Sequence, residues 1–246
     1  MDFVLSPNDE ISSEQYEESD DYKSDEDLQD EAVNEDDNKQ NVFVLASGNA
    51  HKLEEFRRVL EPLGITLLSK DDVNAADFDP EETADTFAGN AQIKAEEMAK
   101  LTNLPSIADD SGLMIDALNG EPGVYSARYA GENATDEDKC NLILDKLQGL
   151  PKRKRKARFV SSICCVFPKT DKIITAEGTC EGRIAFDIRG NNGFGYDPIF
   201  IPKKRWDRKT FAEISGNEKD KISHRGNSLR EFAYKLSQTL QEDSYD

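Results

Sequence analysis

The segment ARFVSSICCVFPKTDKIITAEGTCEGRIAF, residues 157–186, decides the fold class of this chain. It contains two long runs rich in apolar and β-branched residues, 157–167 and 172–186, and the tetrapeptide Pro-Lys-Thr-Asp lies between them. Runs of this composition predict β-strands, and a short turn between two such strands makes them antiparallel neighbours. The segment therefore predicts two long paired strands.

Upstream of this pair, strands and helices alternate. Apolar runs at 41–47, 65–69 and 105–109 predict three further strands. Apolar residues at helical spacing predict four helices. The first follows the first strand and ends before Pro62, and the others cover 85–101, 135–148 and 227–240. Alternation followed by an antiparallel pair predicts an α/β domain with a mixed central sheet and flanking helices.

The charge of the chain is concentrated at its N-terminus. The 246 residues carry 50 acidic and 31 basic side chains, a net charge of −19, and residues 1–41 alone contain 16 acidic residues and two lysines. A segment this polar and this charged buries too little apolar surface to fold alone. We therefore predict a disordered acidic tail over 1–41 and one domain over 42–246. We interpret the tail as solubilising, and an acidic docking arm is the alternative.

Composition argues against several classes of protein. No apolar run reaches the roughly 20 residues that span a bilayer, and the N-terminus lacks the basic-then-apolar pattern of a signal peptide. The four cysteines show no metal-ligand spacing, so we expect reduced thiols in a cytoplasmic protein. The net negative charge of the body argues against a nucleic-acid partner.

The motif SGNAHK, residues 47–52, leads from the first strand into the first helix. A helix N-terminus offers unpaired N–H groups and a partial positive charge, and both suit an anion. Lys52 in the first turn opposes the helix dipole, so its position favours an anion shared with the helix end. An ordinary turn with a solvated lysine is the alternative.

The helix within EETADTFAGNAQIKAEEMAK, residues 81–100, places Asn90 and Lys94 on one face, one turn apart. In the simplest interpretation Lys94 pairs with Glu97 on the next turn. Glu82, just before the helix, either caps it or offers an oxygen to a metal.

The motif ADDSGL, residues 108–113, puts two adjacent carboxylates where an apolar run leaves a buried strand. Like charges this close raise each other's pKa unless a cation separates them. Mg²⁺ prefers carboxylate oxygens together with phosphates and waters, and the second carboxylate would be free to deprotonate a water. Ser111 and Gly112 would let the backbone approach a phosphate. A surface Asp-Asp-Ser-Gly turn is the alternative.

Three later segments could contact a ligand. In NGFGYDPIF, residues 192–200, the aromatic ring of Phe194 lies between two glycines and either stacks on a base or packs into the core. In EKDKISHRGN, residues 218–227, a His-Arg pair either donates to ring carbonyls and phosphates or belongs to a solvated basic loop. The basic run PKRKRKAR, residues 151–158, could be a nuclear-import signal or a nucleic-acid patch, but we favour an exposed loop before a strand, which could pair with the acidic tail.

The sequence thus contains an anion loop, a carboxylate pair, spare lysines, an aromatic platform and a His-Arg pair. Together these features indicate a Mg²⁺–nucleotide site. The motifs SGNAHK, TFAGNAQIKA, ADDSGLMIDALNGEPGVYSARYAG, GFGYDPIF and EKDKISHRG resemble, in this order, those of the inosine triphosphate pyrophosphatase family, also called dITP/XTP pyrophosphatases. The resemblance runs from about residue 42 to 240 and leaves out the acidic tail. It implies an elongated fold with two lobes around an active-site cleft, a homodimer, and Mg²⁺-dependent hydrolysis of ITP, dITP and XTP to the monophosphate and pyrophosphate.

The resemblance also implies roles for single residues. Asp110 would accept the proton of the attacking water, Asp109 would support Asp110 and the metal, and Glu82 with Asp110 would bind Mg²⁺. The residues implied in phosphate binding are Ser47, Gly48, Asn49, Ala50, His51, Lys52, Lys94 and Ser111. Those implied in the base pocket are Phe194, Gly195, Tyr196 and Asp197, and those implied in contacts with phosphate and base are Lys219, His224 and Arg225.

The choice of base follows from hydrogen bonding. Hypoxanthine and xanthine carry a carbonyl at C6 that accepts from His224 or Arg225, whereas the amino group of adenine would face these donors with its own. Guanine must be rejected at C2. Two other functions stay open: a pyrophosphatase for other modified nucleotides, and a non-catalytic nucleotide-binding module.

Overall fold

A computed structural model of the chain describes residues 41–170 and 172–243, so all of the predicted acidic tail except Asn41 lies outside the described residues. Six strands form one sheet in the order β2-β1-β3-β4-β5-β6. Their bounds are β1 Val42–Leu45, β2 Thr66–Leu68, β3 Ser106–Ile115, β4 Lys156–Val166, β5 Ile173–Ile184 and β6 Phe200–Pro202. β1 is parallel to β2 and β3, and the other neighbours are antiparallel, so the predicted mixed sheet is confirmed.

Helices flank this sheet and begin at residues suited to cap them. Their bounds are α1 Ala50–Leu60, α2 Phe87–Thr102, α3 Asp136–Lys146, α4 Gly216–Ile222 and α5 His224–Asp243. Thr86 caps α2 by accepting from the Gly89 N–H at 3.1 Å, and Thr135 forms a capping box with Asp138 at the start of α3. No helix within the described ranges is long and apolar enough to cross a membrane.

The long strands β3, β4 and β5 run through two apolar regions. At one end α1 and α5 cover one sheet face and α2 covers the other, around buried residues such as Ile107, Ile163 and Ala108. At the other end Leu113 and Phe159 pack with α3 and β6. This gives the two lobes that the motifs implied.

Between the two apolar regions the same strands carry polar residues, which we call the polar seam. It consists of Asp109–Ser111 in β3, Ser161 and Ser162 in β4, and Glu177 in β5. Asp110 lies opposite Ser162, and Ser162 lies opposite Glu177, so the seam crosses three strands in register. An unbroken backbone ladder therefore carries a polar stripe between two cores.

The seam corrects the prediction that ADDSGL lies at the end of a strand or in a surface turn. β3 continues through this motif to Ile115, and Asp109 is 1% exposed. The strand continues because side chains from neighbouring elements satisfy its polar groups. Buried charges at such a position need partners, and the site described below supplies them.

Other differences from the predicted elements are small. β6 and α4 have three and seven residues and were not predicted, because β6 is short and α4 contains one apolar residue, Ile222. α5 begins at His224, three residues before the predicted 227, because Ser223 ends α4 and the next helix follows at once.

Candidate active site

The polar seam opens into a cavity of about 480 Å³ between the two apolar regions. Residues from all five motifs that were predicted to contact a ligand line this cavity, so the fold brings together segments that are distant in sequence. Two predicted site residues are not among the lining residues. Ala50 is exposed at the start of α1, and Asp110 contacts Lys94, which does line the cavity.

Asp109 is held as an anion by four side chains. It accepts from Ser161 at 2.6 Å and from Ser111 at 3.1 Å, and it pairs with Lys52 at 2.9 Å and with Arg225 at 3.1 Å. Burial opposes its ionisation, but the charges of Arg225 and Lys52 outweigh burial and lower the pKa of Asp109 below its usual range. Asp109 is therefore a fixed structural charge and a poor proton acceptor.

Asp110 has a different environment on the side of α2. Its carboxylate contacts Lys94 at 3.0 Å and lies 3.4 Å from the Asn90 amide. Burial raises the pKa of Asp110, and the attraction of Lys94 does not offset this fully. A carboxyl with a raised pKa is the better proton acceptor of the two.

The two carboxylates do not strain each other as the sequence suggested. Successive residues of a strand point to opposite faces, so Asp109 faces Arg225 of α5 while Asp110 faces Lys94 of α2. The strand separates the pair and gives each carboxylate its own cation.

Lys94 joins two carboxylates instead of pairing with Glu97. Its ammonium lies 2.9 Å from Glu82 and 3.0 Å from Asp110, and Glu97 pairs with Lys100 at 2.7 Å. The prediction that Lys94 pairs with Glu97 was wrong, because Lys94 lies on the buried side of α2 and Glu97 on its outer side. Burial opposes the charge of Lys94, but Asp110 and Glu82 raise its pKa.

The loop 47–52 presents polar groups to the cavity, but fewer free N–H groups than its sequence suggested. The Asn49 side chain caps α1 by accepting from the N–H of His51 at 3.0 Å and of Lys52 at 3.2 Å. Ser47 accepts from the Asn49 N–H at 3.2 Å. An anion here would rest mainly on the Lys52 ammonium and on the open backbone around Gly48.

Phe194 is half-buried and stands at the cavity wall rather than in the core. Its ring stacks on His51 with centroids 5.3 Å apart and planes 5° from parallel. The Lys219 ammonium lies 4.6 Å and the Arg225 guanidinium carbon 5.6 Å from the ring centroid. The ring thus lies at the cavity wall in contact with an imidazole and two cations.

The residues after Phe194 build the wall behind it. The Gly195 N–H donates to Asp136 at 2.6 Å, and the Tyr196 hydroxyl donates to the Ser126 carbonyl at 2.9 Å. Asp197 accepts from the Phe194 N–H at 3.0 Å and fixes the turn. Tyr196 and Asp197 are buried, so they shape the pocket while Phe194 and Gly195 face it.

Lys219 and Arg225 are not part of a solvated basic loop. Glu55 of α1 pairs with Arg225 at 2.5 Å and with Lys219 at 3.2 Å, and Asp197 pairs with Lys219 at 2.7 Å. Arg225 also donates to Asp109 and Ser111, so four of its N–H groups act within the protein. Arg225 is therefore mainly an organiser of the site.

His224 is the freer donor of the pair. Its ring stacks on Phe159 with centroids 4.5 Å apart, and its Nδ1 is buried without a hydrogen-bond partner in the described part of the chain. Burial lowers the pKa of His224 well below its usual value, and Arg225 and Lys219 lower it further, so the imidazole is neutral. A buried nitrogen without a partner at a cavity wall is available to a ligand.

Glu55 and Ser161 belong to the site but were not predicted from the sequence. Glu55 pairs with Arg225, and Ser161 donates a hydrogen bond to Asp109. Glu55 is 6% exposed although its neighbours in LEEF suggest an ordinary amphipathic helix. Ser161 interrupts an apolar strand at a buried position. A small polar residue at an inward position of a buried strand is the signal that could have identified it.

Glu82 and Asp110 are the side chains suited to bind a divalent cation. Within 41–170 and 172–243 no three His, Cys, Asp or Glu side chains gather into a group that could hold a metal. The two carboxylates nevertheless converge on one cation, the Lys94 ammonium. One or two carboxylates, completed by phosphate oxygens and waters, match the ligands that Mg²⁺ uses.

Comparisons with known proteins identify the family of this chain. The model of the Ham1 family matches residues 43–235. The chain is 46% identical to the dITP/XTP pyrophosphatase of Lactobacillus acidophilus over 77% of this chain and 94% of that protein, and 46% identical to that of Bacillus subtilis over 80% and 96%. The solved structure of a Staphylococcus aureus Ham1 protein is 41% identical to this chain with a TM-score of 0.71, and the match covers 80% of this chain and 99% of that one. The solved structure of a Coxiella burnetii HAM1 protein is 42% identical with a TM-score of 0.72, and the match covers 80% of this chain and 98% of that one. The resemblance inferred from the five motifs is thereby confirmed, and the chain belongs to the Ham1 family.

Proposed function

We propose that this chain is a Mg²⁺-dependent nucleoside triphosphate pyrophosphatase that hydrolyses ITP, dITP and XTP to the monophosphate and pyrophosphate. The observation that supports this most is the contrast between Asp109 and Asp110. One neighbour is ion-paired with a lowered pKa, and the other has a raised pKa beside Lys94. Pairs of carboxylates whose environments separate their pKa values provide acid-base chemistry at neutral pH. The relatives named dITP/XTP pyrophosphatase support the same substrates.

Phosphate binding falls to the cations around the seam. Lys52 contacts Asp109 and borders the loop 47–52, and Lys94 lies on the opposite side of β3. Burial lowers the pKa of Lys52, and the positive charges of Arg225 and Lys94 lower it further, although Asp109 counteracts them. A triphosphate would share these clustered cations with the carboxylates that already pair with them, and its oxygens would accept hydrogen bonds from Lys52 and Lys94.

Hydrolysis requires a water and an acceptor for its proton. We assign the acceptor to Asp110, with Asn90 and Lys94 holding its carboxylate in place. Asp109 fixes Lys52, Arg225 and Ser111 around the reacting phosphates. The lysines stabilise the charge that develops on the phosphate oxygens as the bond to pyrophosphate breaks.

The metal belongs to the same proposal. Glu82 and Asp110 would hold the ion, and Mg²⁺ would neutralise phosphate charge when bound. Its binding would compete with Lys94 for these two carboxylates, because the ammonium already bridges them.

Base selection is assigned to Phe194 and His224. The ring of Phe194 offers a stacking surface, and the unpartnered Nδ1 of neutral His224 can donate to a carbonyl at C6. Adenine carries a donor at C6, so the two donors would oppose each other.

A cytoplasmic homodimer completes the proposal. It rests on the family resemblance and, for the compartment, on four buried free cysteines. Light scattering of the purified chain tests the dimer, and cell fractionation tests the compartment.

The deciding experiment is pyrophosphate release from ITP, XTP, GTP and ATP in parallel, with and without Mg²⁺. We expect turnover of ITP and XTP that exceeds that of GTP and ATP and that needs the metal. Equal turnover of all four would refute the base assignment and leave the phosphate chemistry. Tight ITP binding without turnover would favour the non-catalytic alternative.

A further inference from the structure

A second concave surface lies away from the catalytic cavity and is lined by cations. Its residues come from the loop before β4, from the paired ends of β4 and β5, and from the segment after β6. We call it the basic groove and define it by Lys152, Arg153, Lys156, Arg183, Lys203 and Arg208. None of these residues lines the catalytic cavity.

The cations of the basic groove form no ion pairs within the described part of the chain. Among residues 41–170 and 172–243, no carboxylate lies within ion-pair distance of any of the six. Lys156 and Arg183 are directly opposite each other in the β4–β5 ladder, where like charges destabilise a sheet. Arg183 and Arg208 lower the pKa of Lys152 by repulsion. The described residues therefore gather positive charge on one surface without carboxylate partners among themselves, in a chain whose net charge is −19.

An exposed aromatic side chain follows Lys203 by three residues in the sequence. Trp206 is the single tryptophan of the chain, it is 93% exposed, and it lies on the segment between Lys203 and Arg208. A bare indole ring costs solubility and contributes nothing to either core. Cations that follow a phosphate backbone, combined with an aromatic ring that stacks on bases, form the common arrangement for single-stranded nucleic acid.

We propose that the basic groove binds single-stranded nucleic acid, with phosphates against the six cations and a base stacked on Trp206. A single strand fits better than a duplex because stacking on Trp206 needs an unpaired base. The net charge of the body argued against such a partner, but that count averages cations that the fold concentrates on one surface. Charges further away than about 8 Å are largely screened at physiological salt, so the local surface decides.

The test uses the full chain and a fluorescein-labelled oligothymidylate of about 20 nucleotides, longer than the roughly 4–16 nucleotides that one small single-strand site covers. We expect anisotropy to rise on binding. The logarithm of the binding constant should fall against log salt with a slope of about −2 to −3, as three or four phosphate contacts predict. Unlabelled oligothymidylate should quench the emission of Trp206, which reports on the groove alone because the chain has no other tryptophan.

Charge reversal localises the binding. The double variant Lys152→Glu/Arg153→Glu should weaken binding at least tenfold. The matched control Lys100→Glu/Lys169→Glu, which changes the net charge equally at exposed sites elsewhere, should bind within twofold of the parent. ITP turnover should be unchanged in both variants, so this test stands apart from the proposed catalytic function.

Three results would overturn the proposal. The first is absence of binding at low salt, and the second is equal binding by the double variant and its control. The third is equal binding of polyglutamate with the same change in Trp206 emission, because that would identify an acidic polypeptide as the partner.

Discussion

At the scale of single residues, Asp109 and Asp110 show how one strand gives neighbours opposite properties. Alternation sends Asp109 to Lys52 and Arg225, and Asp110 to Lys94 and Asn90. The first becomes a fixed anion and the second keeps a raised pKa. Adjacent carboxylates in a sequence therefore need not share a metal or a proton.

Replacing Asp110 tests the assignment of the proton acceptor. We predict that Asp110→Asn lowers kcat for ITP by about 10²–10⁴-fold, the usual contribution of a general base, while nucleotide binding is retained. Steady-state kinetics and equilibrium titration with ITP measure the two effects. Turnover near the parent rate would exclude Asp110 as the base.

Asp109→Asn is the informative comparison for that variant. It leaves Arg225 and Lys52 without their buried carboxylate, so we expect a loss of about 3–5 kcal/mol in the free energy of unfolding as well as lost activity. Asp110→Asn should keep most of its stability, because Lys94 retains Glu82.

The aromatic platform gives a second prediction at this scale. Phe194→Leu keeps an apolar side chain but removes the ring that stacks beside His51. We expect KM for ITP to rise about 5- to 150-fold, equivalent to roughly 1–3 kcal/mol of stacking per base, with a smaller change in kcat. Phe194→Tyr should stay close to the parent. An unchanged KM in Phe194→Leu would show that the base binds elsewhere.

At the scale of elements, α5 depends on its close contact with β5. A Cβ built on Gly178 would lie 2.1 Å from the His224 carbonyl oxygen and 2.4 Å from the Ser228 nitrogen. The absence of a side chain lets the first turn of α5 approach the strand and brings Arg225 to Asp109. Gly178 thus determines how closely α5 approaches β5 and, through that contact, where Arg225 lies in the site.

Adding one methyl group tests this contact. Gly178→Ala should force α5 away from β5 and lower the free energy of unfolding by about 1–3 kcal/mol or more, with a larger fractional loss of ITP turnover. Gly216→Ala is the control, since its nearest neighbour would be Arg58 at 3.8 Å, and it should stay within about 0.5 kcal/mol of the parent. Urea unfolding of both variants checks the expectation. Equal midpoints would refute it.

The elements that sequence could predict are those with long apolar patterns. β4 and β5 were expected at 157–167 and 172–186 and lie at Lys156–Val166 and Ile173–Ile184. The extension of β3 was not predictable, because its polar residues are balanced by Ser161 and Arg225, which are distant in sequence. A local sequence pattern indicates which residues are buried among apolar neighbours. It does not indicate which polar residues are buried because a distant charged partner balances them.

At the scale of the whole molecule, Glu55 ties three helices together. It lies on α1 and pairs with Lys219 of α4 and Arg225 of α5. Burial opposes its ionisation, but Arg225 and Lys219 outweigh this and lower the pKa of Glu55 to about 2. Because the unfolded chain regains an ordinary pKa near 4.5, the ionised pair stabilises the fold above that pH.

This shift predicts a pH dependence of stability. The contribution of Glu55, about 3 kcal/mol, should be complete above pH 4.5 and disappear as the pH falls towards 2, because the unfolded state then binds the extra proton. Glu55→Gln should be less stable than the parent at pH 7, and the difference should shrink between pH 4.5 and 2. Urea unfolding across this range measures it. A difference that does not change with pH would contradict the assigned shift.

The same scale explains which parts of the site could be predicted. Motif order placed the loop 47–52, Lys94, Asp109, Phe194 and His224 around one cavity, and they lie there. The different roles of the two donors were not predictable, since Arg225 is occupied by Glu55 and Asp109, while the Nδ1 of His224 has no partner among the described residues. Such assignments depend on partners that only the folded chain brings together.

The polar seam also has a mechanical consequence. β3, β4 and β5 cross it with their hydrogen-bond ladder intact, whereas the apolar packing on either side stops at Asp109–Ser111 and Ser161. Bending the sheet along this line would strain the ladder but would separate few packed methyl groups. At this line the strand ladder and ion pairs such as Asp109–Lys52 and Asp109–Arg225, and not apolar packing, hold the two lobes together.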